Sequence, residues 1–194
     1  MSPVDPMDVF RRWYGDALRA GLERADAMSL ATVGADGRPS ARMVLLSSFD
    51  ERGFVFHTNQ RSRKGKEIAR NPLVALVLWW GPLGRQVRIE GRAEKTSAAD
   101  SDAYFAGRPR GSQLGAWASD QSAVIPDRAA LEERLRELER RHAGGPVPRP
   151  PHWGGYRVIP DVIEFWEGRE NRLHDRIRYR RGEAGAWLVE RLAP

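Results

Sequence analysis

The sequence predicts a mainly β protein, a split or six-stranded antiparallel barrel with peripheral helices. Two patterns carry this expectation. Short strand-like runs recur between tight Gly-, Asp- and Pro-marked turns, and helical periodicity is confined to separate segments around them. No internal repeat and no mid-chain domain linker interrupts the 194 residues. A single domain over 1–194 is therefore expected, long enough to bury a real core.

Taken in order, Asp5-Pro6 opens a helix whose apolar Val9, Trp13, Ala17 and Leu18 share one face through about residue 22. Residues 27–33 read as a strand, 35–39 as a turn and 41–46 as the returning strand. A second turn over 49–53 leads to strand 54–58. Helix 63–70 then stops at Asn71-Pro72, where the residue before proline leaves helical space. Residues 73–80 form a nearly continuous apolar strand, and Gly81-Pro82-Leu83-Gly84 turns into alternating strand 85–92.

Residues 98–106 read as helical. The clearest helix is 127–142, with Leu131, Leu135 and Leu138 on one face and charges on the other. Pro148 to Pro151 reads as stiff linker. Two strand pairs close the chain, 155–159 with 162–166 and 176–180 with 186–191.

Composition removes several function classes. Hydrophobic residues make up 41% and charged residues 30%, which speaks against a disordered chain. With no cysteine, disulfides, iron–sulfur ligation and thiol catalysis are excluded. The four histidines, His57, His142, His152 and His174, show no H-x-x-x-H spacing, so no metal site is expected. Neither a G-x-G-x-x-G turn nor a Walker A loop is present. The opening MSPVDPMDVFRRW lacks a signal-peptide pattern, and the apolar run 73–80 is too short to span a bilayer, so a cytoplasmic protein is expected. The net charge of +6 is carried largely by arginine, a bidentate clamp for phosphate. Nucleic acid is the generic partner of such a chain, but no zinc finger, basic zipper or RNP-like segment supports it.

Three cationic segments are the candidate ligand contacts. Arg42 begins a strand, and Arg61, Arg63, Lys64 and Lys66 enter the short helix, where free N–H groups and charge suit a phosphate. By itself this run reads slightly better as a solvated surface; the later segments give the ligand reading its weight. Arg108-Pro109-Arg110-Gly111-Ser112-Gln113 follows Tyr104, and Glu170-Asn171-Arg172-Leu173-His174-Asp175-Arg176 follows Phe165-Trp166. His174 reads as a satisfied histidine or as a donor to an electron-rich ring. Trp79 and Trp80 are assigned to core and interface packing, Trp13 to anchoring the first helix, and Trp153 and Trp187 to strand packing. Trp117 is left between ligand contact and buttress.

With Trp117, Gln121-Ser122, Trp153-Gly154-Gly155 and the terminal RLAP, these segments resemble the pyridoxamine 5′-phosphate oxidase family. RMVLL at 42–46, SRK at 62–64, RPRGSQLGAWAS at 108–119, FW at 165–166 and RLHDR at 172–176 carry the resemblance, from about Pro6 to the last residue.

The resemblance implies an FMN-binding split barrel, a six-stranded antiparallel Greek-key barrel, paired as a homodimer with FMN at the subunit interface. A C-terminal segment over about 153–194 would serve FMN and substrate. Arg42, Arg63 and Lys64 would hold the FMN phosphate. Met43, Val44, Leu45 and Leu46 would contribute wall and backbone, and His57, Thr58, Gln86, Gln121, Ser122, Trp166 and Arg176 the other cofactor contacts. Ser47, Tyr104, Arg108 and Ser112 would meet the substrate phosphate, with Arg172 and His174 as catalytic residues over the pyridine ring. The implied reaction oxidises pyridoxine or pyridoxamine 5′-phosphate to pyridoxal 5′-phosphate, with O2 as acceptor and H2O2 as product.

Two departures stand out. Ser47 occupies a position where the family usually has lysine, an expected loss of roughly 1–3 kcal/mol of phosphate binding. The chain also starts close to its first helix, without the longer arm of some members, so looser closure over substrate is expected. The runner-up reading is a related FMN oxidase acting on another substrate, such as a phenazine precursor. A non-enzymatic flavin-binding protein is the alternative of a different class.

Overall fold

The computed structural model describes residues 4–183 and 185–194. Met1 to Pro3, which open the stretch read above for a signal pattern, lie outside the described residues.

Helix α1 spans Pro6–Arg19, capped by the Asp5 carboxylate, which accepts the Met7 amide at 2.7 Å, with Pro6 in its first turn. It ends three residues before the expected Leu22, because Gly21 turns to φ +70°. β1 (Ala27–Val33) and β2 (Pro39–Leu45) form the expected hairpin. The segment read as a turn at 49–53 contains a short strand, β3 (Ser48–Asp50), paired with β4 (Gly53–Asn59). Helix α2 (Arg63–Arg70), capped by Ser62, β5 (Leu73–Trp80) and β6 (Arg85–Lys95) lie where expected.

Helices α3 (Ala98–Ala106), α4 (Arg110–Ala118) and α5 (Arg128–Arg141) follow. The sequence reading gave α4 no helix. The segment is short, carries Gly111 and Gly115, and has a weak apolar stripe, so its helicity comes from packing against α5.

The largest correction concerns the C-terminal strands. Residues 155–159 and 162–166 are not partners but two halves of one strand, β7 (Trp153–Glu167). Pro160-Asp161 marks a bend and not a hairpin turn, and the ladder register with β6 shifts between Glu90 and Gly91 at that point. Gly91 is required there: a Cβ would stand 2.0 Å from the Ile159 carbonyl oxygen. One edge of β7 pairs with β6 throughout. Its other edge pairs first with β4 and then with β8 (Asp175–Arg181), which in turn pairs with β9 (Trp187–Arg191).

The nine strands make one antiparallel sheet, ordered β2-β1-β5-β6-β7-β4-β3 with β8 and β9 added on β7. Because β2 runs directly into β3, the two ends of that path meet and the sheet curls into a half-barrel. The seam is at Ser47, whose amide donates to the Val55 carbonyl at 2.8 Å.

The main core fills the curl with Met28, Leu30, Leu76, Leu78, Val87, Ile89, Val158 and Ile163, all fully buried, and α1 closes one end through Phe10. Phe10 meets Phe49 and Phe54 edge-on at 4.8 Å, and burying such a ring contributes about 1.5–3 kcal/mol. A second cluster of Phe105, Leu114, Ala118, Leu138, Val147 and Trp153 binds the three later helices to the start of β7, with Leu131 and Leu135 packed against it. Trp13 lies edge-on to Phe165, as an anchor for α1. Trp80 is buried and donates to the Ala25 carbonyl, whereas Trp79 is 57% exposed, so only one of the two is core within this chain. No helix among the described residues is long and apolar enough to cross a membrane.

Candidate active site

The candidate residues gather in two groups on this chain. The first surrounds a cavity of about 770 Å3 at the seam of the curl, lined by Met43, Val44, Leu45, His57, Thr58, Lys64, Tyr104, Arg108, Ser112, Gln121 and Trp153. The ends of β2 and β4 form one wall, and α3 with α4 the other. The α3–α4 junction places Tyr104 in the last turn of α3 and Ser112 in the first turn of α4, with Arg108 between them. Leu46 turns its side chain into the core and gives its amide to the Asp26 carbonyl, so it offers the cavity neither.

The cations are held by a network that sequence reasoning missed. Glu67, on α2, is buried and accepts from Thr32 at 2.5 Å, Ser40 at 2.8 Å, Arg63 Nε at 2.8 Å and Arg42 Nη2 at 3.3 Å. Burial by itself would raise its pKa, but the hydrogen bonds from Thr32, Arg63 and Ser40 drive it down to about 2. Glu67 thus anchors two of the three candidate phosphate cations. The signal for it was local: Arg63 and Glu67 stand at i,i+4 on one helix.

Lys64 is buried, and its Nζ donates to the Gln121 side-chain oxygen at 2.9 Å, with Thr58 Oγ1 at 3.3 Å. Burial and then the Arg42 charge lower its pKa. Thr58 also donates to Gln121 at 3.0 Å, and the Arg63 amide donates to Ser122 Oγ at 3.2 Å. Gln121 and Ser122 are therefore brought onto β4 and the start of α2, across some 60 residues of sequence. Ser122 sits at φ +74°, a left-handed backbone that costs a serine about 1–3 kcal/mol and so marks a held position. Arg63 opens toward a second hollow of about 840 Å3, with Arg61, Lys66 and Arg70 at its rim.

Around the other wall the rings stack. His57 lies flat on Tyr104, with centroids 3.9 Å apart and planes 3° apart, and 5.2 Å from Trp153. The Arg108 guanidinium stands 4.8 Å over Trp153, and its Nη1 is buried without a hydrogen-bond partner. Burial lowers the Arg108 pKa, as expected for a cation held out of water. Burial and then the Arg108 charge push His57 down to about 4, so it is neutral at pH 7. Trp153, assigned to strand packing from sequence, does pack but also forms the floor beneath Arg108.

This arrangement has a stability consequence. A His57 pKa below its unfolded value of about 6.5 means that the unfolded chain binds the extra proton first. Stability should therefore fall as pH drops from about 6.5 to about 4, and Glu67 should add a second loss between about 4.5 and 2. Urea unfolding across this range should show both, and His57→Gln should flatten only the upper one.

The second group lies on β6, β7 and β8. Gln86, Trp166 and Arg176 are neighbours in register across the three strands, and the His174 ring is 4.6 Å from Trp166. The Arg169 amide donates to His174 Nδ1 at 3.2 Å, which leaves the Nε2 side to carry the proton of the neutral ring. Arg176 donates to Glu164 at 2.7 Å and to the Ala193 carbonyl at 3.0 Å. Glu164, buried and bonded also to Arg88, is a second anchoring acid absent from the sequence reading. Arg172 is exposed at φ +63°, directly after Asn171 at φ +54°. Two successive non-glycine residues in left-handed space hold the Arg172 side chain on a strained turn.

Among the described residues, no hydrogen bond or ring contact joins the second group to the first. Trp117 donates to the Pro148 carbonyl at 2.7 Å and so buttresses the helical wall. Among the described residues, the one aromatic side chain near the His142 and His152 rings is Trp117. No group of three or more histidine and acidic side chains suited to a metal occurs among the described residues.

Comparison with known proteins gives these two groups a context. A family profile described as pyridoxamine 5′-phosphate oxidase matches residues 14–142, and one described as the pyridoxine 5′-phosphate oxidase C-terminal dimerisation region matches 153–194. A pyridoxine/pyridoxamine 5′-phosphate oxidase of Rubrobacter xylanophilus is 64% identical over 190 residues, covering 98% of this chain and 87% of that protein. One of Acaryochloris marina is 57% identical over 191 residues, with the same coverage. Among solved structures, PhzG from Burkholderia lata 383, in complex with tetrahydrophenazine-1-carboxylic acid, superposes with a TM-score of 0.94 at 36% identity, covering 99% of this chain and 94% of that one.

Proposed function

Because the chain belongs to the pyridoxamine 5′-phosphate oxidase family, we propose that it oxidises pyridoxine 5′-phosphate and pyridoxamine 5′-phosphate to pyridoxal 5′-phosphate with FMN. O2 is the final acceptor and H2O2 the second product. One observation carries the reading: Tyr104, Arg108 and Ser112 line one cavity with Thr58, Lys64 and Gln121, and Arg108 holds a buried, unpartnered Nη1 there. In that arrangement residues of β2 and β4 would hold the flavin, and residues of α3 and α4 the phosphate of the substrate.

FMN, when bound, supplies the two-electron acceptor for a hydride from the substrate C4′ carbon. The chain's own contribution is placement and charge. Arg42, Arg63 and Lys64 offer cations to the cofactor phosphate, already ordered by Glu67 and Gln121. Met43, Val44 and Leu45 give the cavity an apolar wall. Arg108 and Ser112 grip the substrate phosphate, with Tyr104 beside them. This fixes the ring and lowers the entropic part of the barrier.

Gln86, Trp166, Arg172, His174 and Arg176 stand apart from that cavity on the same protomer. The reading therefore includes a homodimer, in which this second group of one subunit completes the cavity of its partner at the interface. The match of 153–194 to a dimerisation region supports it. His174 and Arg172 then lie over the pyridine ring as catalytic residues, His174 with a fixed tautomer and Arg172 as a fixed positive charge.

Arg172→Ala should lower kcat about tenfold while leaving flavin content unchanged. Steady-state oxygen consumption together with the bound-flavin spectrum checks this. An unchanged kcat would place the substrate elsewhere. The similarity to PhzG gives the second reading, oxidation of a reduced tricyclic at the same flavin. The Tyr104-Arg108-Ser112 set and the higher identity to the pyridoxine/pyridoxamine 5′-phosphate oxidases favour the first reading: a phosphate offers three acceptor oxygens to a guanidinium and two hydroxyls, whereas the carboxylate of the tricyclic acid offers two.

A further inference from the structure

Ser47 stands where a phosphate-binding lysine is expected, and the structure gives it other work. Its amide donates to the Val55 carbonyl at 2.8 Å, its hydroxyl donates to the same oxygen at 3.0 Å, and its Oγ lies 2.9 Å from His57 Nδ1. A serine hydroxyl has one proton. With that proton on Val55, Oγ is an acceptor and Nδ1 must carry the hydrogen. The opposite assignment would leave two oxygens facing each other at 3.0 Å without a proton. It would also bury an Nε2–H that has no acceptor, and orphaned donors are rarer in proteins than orphaned acceptors.

His57 in turn carries the ring stack. It lies against Tyr104 in near-parallel contact and beside Trp153, which supports Arg108. On its far side it faces Gly155 across the β4–β7 ladder. A Cβ there would stand 2.9 Å from His57 Nε2 and 2.5 Å from Thr96 Oγ1, so the strand leaves only enough room for the ring.

We propose that Ser47 is a positioning residue, not a phosphate ligand: it fixes His57 as the Nδ1–H tautomer, and through His57 it holds Tyr104 and the Trp153–Arg108 pair in place for the substrate phosphate. This rests on the functional reading above for what the stack binds, but not for the Ser47–His57 contact itself. One consequence is specific to this chain. A lysine restored at position 47 would break the seam contact and displace His57, and would not strengthen substrate binding.

The test combines two readouts on the full-length, FMN-loaded protein labelled with 15N-histidine. The His57 signals, assigned by their loss in His57→Asn, should show a protonated Nδ1 and a bare Nε2. Ser47→Ala should shift them toward the other tautomer and raise KM for pyridoxine 5′-phosphate about three- to tenfold with a smaller change in kcat. Ser47→Thr, which keeps the hydroxyl, should preserve both, and Ser47→Lys should raise KM. A Ser47→Ala protein with raised KM but unmoved His57 signals would overturn the proposal, because Ser47 would then touch the phosphate directly. Unmoved signals with unchanged KM, or a lowered KM in Ser47→Lys, would overturn it as well. If pyridoxine 5′-phosphate is not turned over by any of the proteins, the functional reading fails by itself, and the nitrogen signals still decide the Ser47–His57 contact.

Discussion

An Arg108→Ala protein is expected to lose roughly 30- to 1,000-fold in kcat/KM for pyridoxine 5′-phosphate, about 2–4 kcal/mol. Two losses combine. The substrate phosphate loses a charge-assisted hydrogen bond at a site already withdrawn from water, and Trp153 loses the cation above it. The effect should fall mainly on KM, since the phosphate is held alike in the ground and transition states. Arg108→Lys should recover only part of it, because an ammonium cannot reproduce the planar fork over the indole. Steady-state kinetics with both phosphorylated substrates reads this directly. A change confined to kcat would mean that Arg108 serves the chemical step.

Glu67→Ala is expected to destabilise the cofactor-free protein by about 2–4 kcal/mol, a large share of a small domain's stability. The substitution removes the shared acceptor of Arg42, Arg63, Thr32 and Ser40 and leaves cations facing one another. Saturating FMN should reduce the loss, because a phosphate beside Arg42 and Arg63 would restore the missing negative charge. Glu67→Gln, which keeps an acceptor but not the charge, should lie between. Urea unfolding with and without FMN distinguishes these cases. An equal loss in both conditions would detach Glu67 from the cofactor phosphate.

Much of this fold was legible because the chain states its turns locally. The β1–β2 hairpin is written in Ala35-Asp36-Gly37-Arg38-Pro39, and α2 begins at Ser62 and stops at Asn71-Pro72. The failures come from tertiary context. In sequence, β7 breaks at Pro160-Asp161, since a proline inside a strand ordinarily marks its end. Here β6 runs alongside both halves and a bulge at Glu90/Gly91 absorbs the bend. Helix α4 has too little local propensity to announce itself and depends on α5 and the second core.

The site shows the same division. Runs of like residues, such as Ser62-Arg63-Lys64 or Tyr104 through Ser112, point to ligands because several ligand-type groups stand close in sequence. The residues that organise them stand out less: Glu67 shows only its i,i+4 spacing from Arg63, and Glu164 and Thr32 are ordinary in isolation and gain meaning from what lies across the sheet. In sequence, position 47 shows only a missing cation. Its contact with His57 depends on the seam where β2 passes into β3, which no local pattern encodes.

Anaerobic flavin reduction checks whether this chain couples FMN to a phosphorylated pyridine substrate. FMN-loaded protein is mixed with pyridoxine 5′-phosphate in the absence of oxygen, and the flavin absorbance is followed. The flavin should bleach within seconds, and the yellow colour should return with release of H2O2 when oxygen is admitted. A flavin that binds stoichiometrically but stays oxidised would contradict it, and would assign this cavity to a different reductant.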